Sequence, residues 1–200
     1  MSQTATLSCA CGLVTGRVNN LTPKSTAHLY CHCKDCQAFA IYLGKQEQVL
    51  DANGGTEICQ TSCANLTIET GVDHLRPLRL SPSGLMRWHA TCCNTPLFNT
   101  MAKPGMPFIG LFVTALCADR LTDMIGPVRG RGFLKYATGD VSRIKAEELK
   151  MPSYILSFAR MMLSARLRGD NKRSPVFDHD GLPISEPFVI PLEEKAQLYV

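Results

Sequence analysis

Apolar residues in the first 120 positions come in short groups separated by Gly, Asn and Pro. Examples are Leu13-Val14, Val18 ahead of Asn19-Asn20, Leu66-Thr67-Ile68, and Leu78-Arg79-Leu80 ahead of Ser81-Pro82-Ser83-Gly84. Runs this short, bounded by turn formers, predict strands and hairpins. Phe108 to Leu116 is longer, and its first half is aromatic and β-branched. It reads as a buried strand, with a short core helix as the alternative that periodicity leaves open. The front of the chain is therefore expected to be mainly β.

Beyond Gly126-Pro127 and Gly130-Arg131-Gly132 the period changes. Ser153, Ser157, Arg160, Ser164 and Arg168 recur at spacings of three and four, which draws one narrow polar stripe. Ile155, Leu156, Phe158, Ala159, Met162 and Leu163 cover most of the remaining surface, predicting a helix over about 153–168 between Pro152 and Gly169. So wide an apolar face must pack against the β portion or a second copy of the chain. The tail, with Pro175, Pro183, Pro187 and Pro191, reads as extended segments without regular helix. The chain thus divides into a β domain over 7–125 and a C-terminal extension over 126–200 packed on it.

Composition narrows the function classes. With 45% hydrophobic and 19% charged residues, 200 residues can bury a real core. A net charge of +4 is too small to imply nucleic-acid binding. The longest apolar stretch, Met106 to Ala118, contains a Gly and falls short of the roughly 20 residues of a membrane helix. Met1-Ser-Gln-Thr-Ala-Thr has no basic region followed by an apolar one, so a cytoplasmic location with reduced thiols is the expectation.

Ten cysteines, none of them after Cys117, are then the anomaly. Cys9-Ala10-Cys11-Gly12 places two thiols two residues apart before a Gly that permits a tight path. Cys31-His32-Cys33-Lys34-Asp35-Cys36 places three within six residues, a spacing that suits a soft metal. A third segment, His89-Ala90-Thr91-Cys92-Cys93-Asn94-Thr95-Pro96, carries two adjacent cysteines. Adjacent side chains usually diverge, so one of the two is expected as a ligand and the other as a packed thiol. Cys9 and Cys11 need two further ligands, most simply from Cys92-Cys93, to close a four-coordinate structural zinc. Cys31, Cys33 and Cys36 supply three, and three protein ligands with an open fourth position is the arrangement of a catalytic zinc. Cys59, Cys63 and Cys117 read as ordinary core positions.

Taken in order, Cys9-x-Cys11-Gly12-x-Val14, Cys31-His32-Cys33-x-Asp35-Cys36-Gln37, and Arg87-Trp88 leading to Cys93-x-Thr95-Pro96-Leu97 resemble the glutathione-dependent formaldehyde-activating enzyme family, also called the GFA or centromere-protein-V-like family, over about residues 7–120. The resemblance implies a zinc-binding β-tent, a structural zinc on Cys9 and Cys11 with a later cysteine pair, and a second zinc on Cys31, Cys33 and Cys36. It further implies a carbon–sulfur lyase that adds a small thiol such as glutathione to formaldehyde or a related small aldehyde. The third segment departs from the family pattern: Ala90 stands where a first Cys is expected and Asn94 where a Gly is expected. Cys93 carries over. Cys92, His89 and a water are the alternatives for the fourth structural ligand, with Cys92 favoured because it keeps an all-sulfur site. The extension after residue 140 lies outside the family's core.

A zinc on three thiolates is a poor activator of water but leaves a substrate thiolate nucleophilic, which favours sulfur chemistry over hydrolysis. Lys34, Asp35 and Gln37 are then candidates to orient the substrate, or solvated residues that shape the turn; His32 is expected to point away from the metal. The competing reading is a zinc-stabilised binding module that presents its helix and tail, with Arg160, Arg166, Arg168, Lys172 and Arg173 facing an anionic partner or simply solvent. A redox role for Cys59 and Cys63 is disfavoured by their spacing.

Overall fold

The computed structural model describes residues 4–199; the first three residues, part of the segment read for a leader, lie outside it. In chain order the strands are β1 Ala5–Ser8, β2 Thr15–Val18, β3 Ala27–Cys31, β4 Thr56–Ser62, β5 Leu66–Thr70, β6 Leu75–Arg79, β7 Met86–Ala90, β8 Thr95–Thr100, β9 Phe108–Phe112, β10 Leu116–Cys117, β11 Arg131–Gly132 and β12 Phe188–Val189. The helices are α1 Lys34–Tyr42, α2 Gln46–Val49, α3 Leu121–Ile125, α4 Met151–Leu167 and α5 Leu192–Leu198. The described residues are mainly β, as the short apolar runs predict.

The strands form two sheets, one of four in the order β10-β1-β2-β5 and one of eight in the order β11-β3-β4-β9-β8-β7-β6-β12. Neighbours pair antiparallel except at the two ends of the large sheet, where β11 joins β3 and β12 joins β6 in parallel. Both end strands come from the extension. It therefore covers edges that would otherwise expose unpaired backbone groups.

Phe108–Phe112 is buried along its whole length, a continuous apolar run instead of an alternating one, because β9 lies mid-sheet with both faces covered. Trp88, Phe39, Phe98, Phe112 and Ile109 are among the fully buried side chains at the centre. The Trp88 indole N–H, which burial would otherwise orphan, donates to Thr100 Oγ1 at 3.0 Å.

Helices α1 and α5 lie outside the sequence reading. α1 lies where none was read from the pattern: Cys36, Ala38, Phe39 and Ala40 form its buried face, Asp35 sits in its first turn, and Gly44 at φ +64 follows its end. α4 runs Met151–Leu167, close to the expected 153–168, and part of its apolar surface packs on the β domain. Phe158 meets Phe108 edge-on and Met162 and Ala165 are buried, whereas Ile155, Leu156, Leu163 and Leu167 stay exposed. The tail is not free of helix. Its prolines break structure only up to Pro191, and the Leu-Glu-Glu-Lys-Ala-Gln-Leu that follows is made of good helix formers with two acids in the first turn.

Asp170, just after α4, fixes the extension to the β domain. Its buried carboxylate accepts hydrogen bonds from Ser62 at the end of β4 (2.7 Å), from Arg168 (2.9 Å) and from Arg173. These bonds hold the Asp170 carboxyl below its ordinary pKa despite burial. At the other end of α4, in its first turn, Tyr154 donates its hydroxyl to Gln60 Oε1 of β4 at 2.7 Å.

Candidate metal centres

The ten cysteines are all free thiols. Seven of them fall into two groups whose sulfur atoms lie within 4.8 Å of one another: Cys9, Cys11, Cys92 and Cys93, and Cys31, Cys33 and Cys36. Either set can hold a metal ion.

The first group joins the β1–β2 turn to the β7–β8 turn. Gly12, at φ +77, lets the chain reverse just after Cys11, and Val14 N–H donates to Cys9 Sγ at 3.3 Å. The sulfur separations are 3.6 Å for Cys9–Cys11, 3.3 Å for Cys11–Cys92 and 3.8 Å for both Cys9–Cys92 and Cys92–Cys93. A tetrahedral zinc with Zn–S bonds near 2.3 Å places its sulfurs about 3.8 Å apart, so the donor set fits that group. The expectation that only one of Cys92 and Cys93 would be available is corrected. The pair lies in a turn, not a strand, and with Asn94 at φ +55 following it both thiols face the cluster. His89 is not in the group and lies on β7 against Phe39. Cys93 Sγ also lies 3.0 Å from Thr95 Oγ1; burial opposes ionisation of this thiol, but that hydrogen bond and those from the Cys11 side bring it down to about 6. Cys92 moves the opposite way, raised by burial and by its bonds with Cys11, Cys9 and Cys93.

The second group comes from one stretch of chain, the end of β3 and the start of α1. Cys33 is the residue before the helix and Cys36 lies in its first turn, where the positive end of the helix dipole favours a thiolate. Hydrogen bonds from Cys31 and Cys33, helped by Arg87, hold Cys36 well below its ordinary pKa against complete burial. Cys31 is raised by its bonds to Cys33 and Cys36 and by burial. For Cys33 the bond with Cys31 favours the thiolate, but the bond with Cys36 and burial prevail and push it up to about 12.

Arg87 lies beside the triad, and the sequence reading left it without a role. It is buried on β7 with Nη1 3.7 Å from Cys36 Sγ and Nη2 3.7 Å from Asp35 Oδ2. Burial works against its charge, yet the negative charge of Cys36, Cys33 and Asp35 prevails and its pKa is raised. A charged residue between two large apolar neighbours on β7, Met86 and Trp88, was the available signal.

Lys34, Asp35 and Gln37 prove to be more than solvated turn residues. Gln37 donates to the carbonyls of His32 (2.8 Å) and Tyr136 (2.9 Å); Asp35 Oδ1 accepts from the Tyr199 hydroxyl at 2.5 Å; the Lys34 ammonium sits 5.6 Å and 5.7 Å from the rings of Tyr136 and Tyr199. All three tie the triad to the extension. His32 is outside the sulfur group, its ring buried toward Gly132 and Asp51. Gly55 makes room for it, since a Cβ there would lie 2.6 Å from His32 Nε2.

Cys59 and Cys63 are buried as expected, with Cys59 pushed up to about 12 by burial alone. Cys117 is not: it lies exposed on the edge strand β10, so its core assignment is corrected. Of the basic residues near the end of α4, Arg168 and Arg173 are engaged with Asp170, and Arg166 with the Gly105 carbonyl.

The triad opens on a cleft of about 480 Å³, and none of Cys9, Cys11, Cys92 and Cys93 lines it. Cys31, Cys33, Cys36, Asp35 and Arg87 line one part of it, and Phe133, Leu149, Met151 and Tyr154 of the extension line another. None of the extension residues in this wall was legible as a site residue from local pattern. No helix among the described residues is long and apolar enough to cross a membrane.

No curated protein matches the chain. Among solved structures, the crystal structure of a Rhodobacter sphaeroides protein, a structural genomics target, is similar at 17% identity and a TM-score of 0.41, covering 62% of this chain and 96% of that one. The model of a family of unknown function, DUF6151, matches residues 1–187, which takes in both sulfur groups, the cleft and α4. The chain belongs to the DUF6151 family.

Proposed function

We propose that this protein is a zinc-dependent carbon–sulfur lyase-like enzyme that adds a small thiol to a small aldehyde. The observation that carries the reading is the setting of the triad: Cys31, Cys33 and Cys36 line a cleft beside a buried Arg87. Cys9, Cys11, Cys92 and Cys93 would hold one zinc and Cys31, Cys33 and Cys36 another. A zinc on three thiolates supplies a fourth position at which a substrate thiol stays ionised and nucleophilic.

The chain's own residues then divide the work. The Arg87 guanidinium offsets the negative charge that collects on the triad. Asp35, at the cleft wall, takes the thiol proton and returns it to the carbonyl oxygen. The new bond joins sulfur to the carbonyl carbon, and the C=O π pair passes to the oxygen that receives the proton. Nothing is oxidised or reduced. Gln37, Lys34 and Tyr199 keep the start of α1 in place against the extension.

Exchange spectroscopy on zinc-loaded protein with a thiol and formaldehyde tests this. Catalysed interconversion above the solution rate is expected, lost in Cys33→Ser with the fold retained; equal exchange in the variant overturns the assignment. A second reading, a zinc-stabilised binding module, is favoured by the exposed Ile155, Leu156, Leu163 and Leu167 of α4. Protein that carries one zinc and gives no exchange with any thiol supports that reading instead.

A further inference from the structure

The cleft beside the triad has a floor and a roof of different origin. The floor is one face of the large sheet, where Arg87, Asn99, Gly110 and Gln60 fall on neighbouring strands in direct register: Arg87 opposite Asn99, Asn99 opposite Gly110, Gly110 opposite Gln60. Gly110 leaves a gap in that row, since any Cβ there would press on Phe108 and Ile58, at 3.2 and 3.4 Å. The roof is the extension, held down by the Tyr154–Gln60 hydrogen bond.

Three features of this enclosure point to a ligand. Its lining is predominantly apolar, with Leu29, Ile58, Leu85, Phe108, Phe133 and Leu149 contributing. Asn99 is 4% exposed, yet its Oδ1 has no hydrogen-bond partner, an acceptor that folding leaves unsatisfied and that a ligand donor could fill. Phe133 is held at φ +61, a conformation that bulky residues avoid, and its ring is half exposed at the wall. Strain of that kind gathers at ligand clamps.

The charged groups of the cleft are few and already engaged, Arg87 with Cys36 and Asp35, and Asp35 with Tyr199 as well. A thiol bearing two carboxylates and an ammonium would find no free counter-charges there and would lose hydration for nothing. We infer that the cleft is a subsite for an uncharged ligand with an aromatic or branched aliphatic body and one hydrogen-bond donor, and that the thiol substrate is of this class and not a charged peptide. The identification of the ligand as a thiol rests on the function proposed above; the apolar subsite does not.

Three probes separate the two claims: phenylmethanethiol, its oxygen analogue phenylmethanol, and glutathione, each titrated into zinc-loaded full chain and followed by calorimetry or amide chemical shifts. Phenylmethanethiol is expected to bind at least tenfold more tightly than glutathione, and phenylmethanol to bind measurably with shifts at Phe133 and Asn99. Phe133→Asn removes the ring while placing at φ +61 a residue that tolerates it. It should leave the Tm unchanged or raised and weaken both aromatic probes on the order of tenfold. Leu85→Asp, on the half-buried connection between β6 and β7, should do the same by placing a charge in the wall. Tighter binding of glutathione, or aromatic affinities unmoved in both variants, overturns the subsite. If phenylmethanethiol and phenylmethanol bind equally and both weaken in Phe133→Asn, the subsite stands and the thiol reading falls. If the thiol's advantage over the alcohol disappears in Cys33→Ser, both stand.

Discussion

The two sulfur groups use the same element to opposite ends. Cys9 and Cys92 lie 83 positions apart and meet through two turns, so a metal there would pin the small sheet to the large one. Cys31 and Cys36 lie five positions apart on one β3–α1 connection, so a metal there would pin almost nothing that the chain does not already hold together. Closing a loop costs entropy that grows as the logarithm of its length, and the difference between these two spans is worth roughly 2.5 kcal/mol. Ligand count alone suggests that one group is structural and the other reactive; the span of chain between ligands supplies the physical reason.

The largest effect should follow from breaking the long-range group. Cys11→Ser is expected to abolish cooperative folding, because a structural zinc contributes on the order of 10 kcal/mol of apparent stability. Circular dichroism with and without a chelator measures this. A variant that melts like the parent would erase the distinction drawn between the groups.

Arg87→Met comes next. It keeps the apolar bulk but leaves the triad's negative charge buried without its partner, so a loss of about 3 kcal/mol is expected in urea unfolding, with weaker zinc retention at one site only. Equal loss of both metals would mean that Arg87 acts through the general core and not through the triad.

Cys33→Ser should cost only about 1 kcal/mol, the scale of one hydrogen-bonding change in a partly exposed short loop, while bound zinc falls from about two to about one per chain by elemental analysis. If Cys33→Ser unfolds the protein as Cys11→Ser does, the triad is a structural site too.

How much of this was legible beforehand depended on distance along the chain. Cys31, Cys33 and Cys36 are local, so spacing alone grouped them. Cys9 and Cys11 could be matched to Cys92-Cys93 by counting ligands and by the family resemblance, but the availability of both latter thiols depended on the geometry of the turn that carries them, which spacing does not record. The cleft was not legible at all. Phe133, Leu149 and Tyr154 reach it through β11, which pairs with β3 and whose two residues carry no strand signal of their own, and through a helix seated on the β domain by Asp170, Tyr154 and Phe158. Long-range packing chose these residues, and periodicity records only which side of an element is apolar.

The smallest effect concerns the strand behind the triad. His28, three residues before Cys31 on β3, is buried with Nδ1 2.8 Å from the Gly126 carbonyl and Nε2 2.7 Å from Glu57 Oε1. Both partners are acceptors, so only the imidazolium satisfies both. Burial opposes that charge, but the Glu57 and Gly126 bonds outweigh it and raise the pKa above 6.5. A raised folded-state pKa means that the contribution is complete below the unfolded value and fades as the pH rises through the folded one. His28→Gln should therefore cost under about 1 kcal/mol at pH 6 and close to nothing at pH 9, read as the difference between two urea titrations. Because His28 braces only the strand that presents Cys31, zinc content should stay at the parent value across that range. A pH-dependent loss of one zinc would show that the triad, short as its span is, depends on the frame behind it.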